Sequence, residues 1–126
     1  MNKLTIIGNL TKDPETRTTQ NGNTLCTFTV AVSRRNKTAG QPDTDYFRVA
    51  AWNALGEICG KYLLKGRKVC VVGPVALRLY ETQEGEHRGS LEMTAQDVEF
   101  LSPKEDSKKL TPVQTDDNPF TEDVPY

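Results

Sequence analysis

The sequence is poor in the residues that most chemistry needs. Its single histidine is His87, and its three cysteines, Cys26, Cys59 and Cys70, are odd in number and never closely spaced. Thiolates or imidazoles at metal-ligand spacing are therefore missing, and so is the even cysteine framework of a small secreted domain. The expectation is three small, reduced core residues in a cytosolic protein. No apolar run approaches the length that spans a bilayer, and no leader-like segment opens the chain. Charge of one sign is lacking too. The net is −1 at pH 7, which taken whole argues against a partner rich in phosphate. The average conceals a division. Residues 1–102 hold 13 Lys and Arg against 11 Asp and Glu, whereas residues 103–126 hold 3 Lys against 6 Asp and Glu. A mildly basic part carries an acidic tail. At 126 residues, 36% of them apolar, the chain has room for one domain and that tail.

What the chain does have is one unusual strand, Asp45 to Trp52. Read with a period of two, Phe47, Val49 and Ala51 point one way, an apolar set graded in size. Tyr46, Arg48, Ala50 and Trp52 point the other way. Solvated strand faces are usually Thr, Lys, Glu and Ser, so two aromatics and a guanidinium need a reason. Two readings are open. The aromatics are covered by a neighbouring element or subunit, or they form a platform on which flat, anionic ligands stack while Arg48 takes a phosphate or lies against a ring.

The rest of the chain frames that strand. Leu4 to Leu10 is apolar on both faces, as a central strand is, and Gly8 marks a bulge or a close backbone approach. Pro14 breaks the pattern, and Asn21-Gly22 is a hairpin signal. Leu25 to Ser33 alternates cleanly, with Cys26, Phe28, Val30 and Val32 on one face and Thr27, Thr29, Ala31 and Ser33 on the other. It runs into a loop carrying Arg34, Arg35 and Lys37, which is either a solvated loop or a basic finger that closes over a polyanion. After Trp52, Asn53 offers an N-cap, and Leu55, Ile58, Cys59, Tyr62 and Leu63 form one helical stripe. Lys65 and Gly66 signal its end, and Gly56 and Gly60 weaken it. Lys68 to Gly73 is a fourth strand, bent at Pro74. Val75 to Tyr80 leads to a polar hairpin tip at residues 81–89, and a fifth strand returns through Leu91, Met93, Ala95 and Asp97. Beyond Pro103, few apolar residues and three more prolines predict a disordered tail.

The order is strand, strand, strand, helix, strand, strand. The fold class expected is all-β: an OB-fold, a five-stranded Greek-key barrel with one helix between strands 3 and 4, over residues 1–102, followed by a disordered acidic C-terminal tail over residues 103–126. Strands 2 and 3 of such barrels commonly bind oligonucleotides. Those strands here carry Thr27, Thr29 and Ser33, and Tyr46, Arg48 and Trp52.

Several stretches resemble the bacterial single-stranded DNA-binding protein (SSB) family: Ile6-Ile7-Gly8-Asn9-Leu10 with Asp13-Pro14-Glu15, Tyr46-Phe47-Arg48-Val49 with Trp52, and Tyr62-Leu63-Leu64-Lys65-Gly66. The resemblance runs in register across residues 1–102. It implies a homotetramer that single-stranded DNA wraps, with stacking aromatics at Tyr46, Trp52 and Tyr80. The family often has a further aromatic after strand 2, where this chain reads Arg34-Arg35-Asn36. The end of the chain is similar as well: Glu122-Asp123-Val124-Pro125-Tyr126 resembles the family's acidic tip, with Tyr where Phe is usual. The resemblance implies that this tip docks replication, repair and recombination proteins.

The expected function is therefore sequence-tolerant binding and protection of single-stranded DNA, with phosphate contacts from Arg34, Arg35, Lys37 and Arg48. No cofactor, metal or reaction is implied, and the place is the cytoplasm, at the nucleoid. Two other classes compete. An OB-barrel nuclease needs clustered carboxylates for a metal, and Asp43 and Asp45 are the nearest pair, without a third partner. An OB dimer of the primosomal type would load other proteins, but the acidic tail argues against it.

Overall fold

A computed structural model of the protein describes residues 1–36 and 39–102. Eight strands and one helix follow in chain order: β1 (Leu4–Leu10), β2 (Glu15–Thr18), β3 (Thr24–Ser33), β4 (Thr44–Trp52), α1 (Asn53–Tyr62), β5 (Lys68–Gly73), β6 (Val75–Glu81), β7 (His87–Thr94) and β8 (Asp97–Phe100). The expected five strands are all there. The count rises because the short arm β2 pairs with β3 through the Asn21-Gly22 turn, where Gly22 sits at φ 85. It rises again because the last two strands are each divided. Pro74 parts β5 from β6, as expected, and Ala95-Gln96 parts β7 from β8. With β2 taken as an arm of β3, the helix follows the third long strand, and the architecture is that of an OB-fold.

The hydrogen-bonded order is β6-β7-β4-β3-β1-β5-β8, with β2 added on β3. All pairs are antiparallel except β4 with β7. The ladder does not close into an unbroken ring. Instead, one extended stretch changes partner: the Ala95 N–H donates to the Ala50 carbonyl on β4, and the Gln96 N–H donates to the Val72 carbonyl on β5, each at 2.8 Å. A Cβ at Gly73 would collide with the Thr94 carbonyl oxygen at this crossing, so glycine is what lets the two strands approach. Gly8 plays the same part against the Ala31 carbonyl of β3, the close approach that its position in a strand suggests.

Inside lies a dry core. Cys26, Val30, Ala51, Cys59, Val69 and Val71 are fully covered, and no polar or charged residue is buried among the described residues. The helix closes one end of this core. Gly56 and Gly60 weaken its propensity but fit its seat, because a Cβ at Gly56 would strike the Ala51 carbonyl and one at Gly60 would strike the Thr16 hydroxyl. The expected Asn53 cap takes a different form. Asn53 has φ 53, a region that asparagine tolerates, and its side-chain oxygen accepts the Thr24 N–H at 3.2 Å instead of capping α1. The helix also stops earlier than Lys65 and Gly66 suggest. Leu63 is already extended, and its N–H donates to the Cys59 carbonyl at 3.0 Å.

Candidate nucleic-acid interface

The strand Asp45 to Trp52 lies wholly within β4, and its two faces separate as the alternation requires. Val49 and Ala51 are buried, while Tyr46 is 59% and Trp52 41% exposed, with Arg48 exposed between them. Six residues of strand put the two rings about 20 Å apart. Pairing with β3 sets what lies beside them: Ala31 opposite Tyr46, Thr29 opposite Arg48 and Thr27 opposite Ala50. Small residues there keep the surface open around the large ones. Arg48 borders a run of shallow depressions. One is walled by Lys12, Thr27 and Thr29, another by Glu15, Arg17 and Thr27, and a third of ≈ 280 Å³ by Ala50, Ala76, Arg78, Glu92 and Thr94. Arg48 thus stands at the middle of a polar trough that crosses β2, β3, β4, β7 and β6. It has no hydrogen-bond or ion-pair partner among the described residues.

Arg34 is placed otherwise. Its Nε and Nη2 both donate to the Asp45 carboxylate, with Nη2 to Oδ1 at 2.8 Å. Strand alternation turns Asp45 to the face opposite Tyr46, so this guanidinium is held on the far side of the sheet from the aromatics. The pairing holds the Asp45 carboxyl below its ordinary value, chiefly through the hydrogen bond, and holds the Arg34 guanidinium above its own. Arg35 is exposed, without such a partner among the described residues. Lys37 lies outside the described residues, as do Glu122, Asp123, Val124, Pro125 and Tyr126.

The β6–β7 hairpin adds the third ring. Tyr80 is 44% exposed and lines a depression with Arg48, Arg78, Ser90 and Glu92. The structure therefore brings Tyr80 to the same trough as Arg48. Here, though, each arginine has its acid: Arg78 Nη1 lies 3.6 Å from Glu92 Oε2, and Arg88 Nη2 lies 2.8 Å from Glu86 Oε1. The other face of the hairpin is bare hydrocarbon. Leu77 and Leu79 are mostly exposed, although Met93, farther along the same face, is buried.

A family model described as the single-strand binding protein family matches residues 1–101. The chain belongs to that family. Relatives named single-stranded DNA-binding protein agree with it. A Clostridium acetobutylicum protein with that name and the number 2 is 36% identical, over 95% of this chain and 100% of its own. One from Thermotoga maritima is 42% identical, over 82% of this chain and 75% of its own. A second numbered 2, from Staphylococcus aureus, is 36% identical over 95% and 91%.

Several residues that shape the trough of this family member escape a reading of its sequence. Arg17 sits on β2, whose Glu-Thr-Arg-Thr is exposed throughout and shows no apolar period. Arg78 and Glu92 had a signal. Each alternates with leucine or methionine on its strand, Leu77-Arg78-Leu79 and Leu91-Glu92-Met93, so that a period of two sets both on the outer face. The three thiols lie apart from this surface chemistry. Burial raises all of them, and it pushes Cys59 up to about 12 with a smaller contribution from nearby Cys26. Cys26 and Cys59 are core groups, not nucleophiles, whereas Cys70, expected in the core with them, is half-buried on the face of β5 opposite the buried Val69 and Val71.

Proposed function

We propose that this family member binds and protects single-stranded DNA with little regard to sequence, in replication, repair and recombination, and performs no reaction on it. The observation that carries this reading is the exposed row Tyr46, Arg48, Trp52, flanked by Thr27, Thr29 and Ala50. Bases stack on the rings, and Tyr80 receives a further one. Phosphates run along Arg48, with Arg35 and Lys37 as further contacts; Arg34 joins them if its bond to Asp45 opens. Stacking on such rings is worth about 1–3 kcal/mol per base and tolerates every base, because each has a π-face. The nuclease reading finds no support at its nearest acids, since Asp45 is held by Arg34.

Residues 1–102 form the DNA-binding domain in this proposal. Residues 103–126 carry the tip from Glu122 to Tyr126, which recruits partner proteins in the cytoplasm at the nucleoid. No helix among the described residues is long and apolar enough to cross a membrane. Assembly as a homotetramer is favoured by what the single chain leaves uncovered. Ile7 is 49% exposed, Leu77 and Leu79 are exposed on the hairpin, and β1 meets β3 only at Asn9 and Leu10, which leaves the Leu4–Ile7 edge open. Four copies supply two kinds of two-fold contact for these two surfaces.

Titration with oligothymidylate in the presence of Mg²⁺ tests the reading. Trp52 is the only tryptophan, so its emission reports on the platform alone. The expected result is quenching to saturation with the oligonucleotide left at full length. Unchanged emission at saturation, or cleavage, would refute it.

A further inference from the structure

The two arginines nearest the middle of the trough lie on either side of one carboxylate, which only Arg78 contacts. Glu92 on β7 lies opposite Arg48 on β4 and opposite Ala76 on β6, with Arg78 two residues farther along. All three charged side chains line the same two depressions, of ≈ 280 Å³ and ≈ 310 Å³. The remaining lining is uncharged and, apart from Val49, Met93 and Tyr80, small. At 3.6 Å the Arg78–Glu92 contact is looser than the 2.8 Å pairs of Arg34–Asp45 and Arg88–Glu86. It is therefore easier to open, and the neighbouring small residues leave the carboxylate room to turn aside. A carboxylate held loosely by one guanidinium, with a second, unpaired one opposite it on β4, occupies the place where a phosphate would be stabilised most.

We propose that Glu92 is a built-in occupant of a phosphate position formed by Arg48 and Arg78, which a DNA phosphate must displace. This rests on the single-stranded DNA reading above and deepens it. Glu92 then sets a threshold. An isolated phosphate gains too little from exchanging one anion for another, whereas a strand that also stacks on Tyr46, Trp52 or Tyr80 overcomes the competition. It also lowers the salt dependence, because the carboxylate that a phosphate sets free takes up a cation and offsets part of the counterion release from the DNA.

The test compares the full-length protein with Glu92→Gln, which keeps the shape and removes the charge. Glu99→Gln is the control, because it removes the same charge on β8, where Glu99 pairs with Cys70 away from the trough. Affinity for oligothymidylate is measured over a range of salt concentrations. Glu92→Gln is expected to bind about three- to tenfold more tightly at low salt, with a slope steeper by up to about 0.7, and to converge on the parent at high salt. In an Arg78→Ala background the gain from Glu92→Gln should shrink, which a general charge effect would not produce. Three results overturn the proposal: Glu92→Gln indistinguishable from Glu99→Gln, binding weaker than the parent's, or an undiminished gain in the Arg78→Ala background. If the parent does not bind oligothymidylate at all, the functional reading falls and the proposal with it. If the parent binds and Glu92→Gln changes nothing, the proposal alone falls.

Discussion

The trough has two halves with the same types of residue and a different state of charge. On β4, Arg48 stands between two exposed rings with no acid attached. On the β6–β7 hairpin, Tyr80 is accompanied by Arg78 and Arg88, each with its own glutamate. Their support differs as well. Behind β4 lie Val49 and Ala51, fully buried, so the platform has a rigid back. Behind the outer part of the hairpin lie Leu77 and Leu79, exposed, so its ring and cations are carried by two strands with little packed beneath them. A count of cations would rate the hairpin the stronger half. Pairing and support reverse that order, making β4 the anchor and the hairpin the adjustable part.

The largest effect should come from the rigid half. Trp52→Ala is expected to cost about 1–3 kcal/mol per occupied site, and Tyr80→Ala about 1 kcal/mol, the low end of that range, because a loosely backed ring loses more freedom when a base orders it. Affinities for oligothymidylate measured side by side check this. A costlier Tyr80→Ala would mean that the hairpin is ordered before DNA arrives, by a neighbouring copy on its leucine face.

Next in size is the cation pair. Arg48→Ala should weaken binding to all base compositions alike and flatten the salt slope by about 0.7, the value of one phosphate contact on a single strand. Arg78→Ala should do less on both counts, since it removes a charge that Glu92 already offsets. Equal slopes for the two variants would erase the distinction drawn between the halves.

Much of the anchor was legible in the sequence, and little of the adjustable part was. The alternation of Tyr46, Arg48, Ala50 and Trp52 needs no partner strand to interpret, because a period of two assigns faces within one segment. The order of strands and the Asn21-Gly22 turn were equally local. The Arg48–Glu92 juxtaposition is not local. It depends on a parallel pairing between β4 and β7, about forty residues apart, which no pattern in either strand specifies. The capping role of Asn53 failed for a related reason: a distant donor, the Thr24 N–H, took the oxygen that local chemistry assigned to the helix. Of the loop cations, Arg34 and Arg35 look alike as neighbours in sequence. What separates them is Asp45, eleven positions on from Arg34.

That separation yields the smallest effect. Arg34→Ala should change affinity for oligothymidylate by less than about twofold, because the guanidinium is already satisfied on the far face and exposed pairs of this kind contribute little. Its influence should instead be seen at the base of the loop, where the Arg34 N–H donates to the Asp43 carbonyl at 2.8 Å. The side-chain bond to Asp45 closes the same turn. Protection of the Arg34 amide from hydrogen exchange should therefore be reduced in Arg34→Ala at neutral pH. In the parent, the sign follows from Asp45, whose carboxyl is held below its ordinary value of 3.8 by Arg34. A depressed carboxyl contributes above its unfolded value, so the clamp is fully present at neutral pH and is lost only as the pH falls below 3.8 toward the folded value. Amide protection that persists from pH 7 down to about 4 and then declines is the expected profile. Should Arg34→Ala instead weaken DNA binding as much as Arg48→Ala does, the Asp45 pair must open in the complex, and the loop would then belong to the DNA-contacting surface alongside β4.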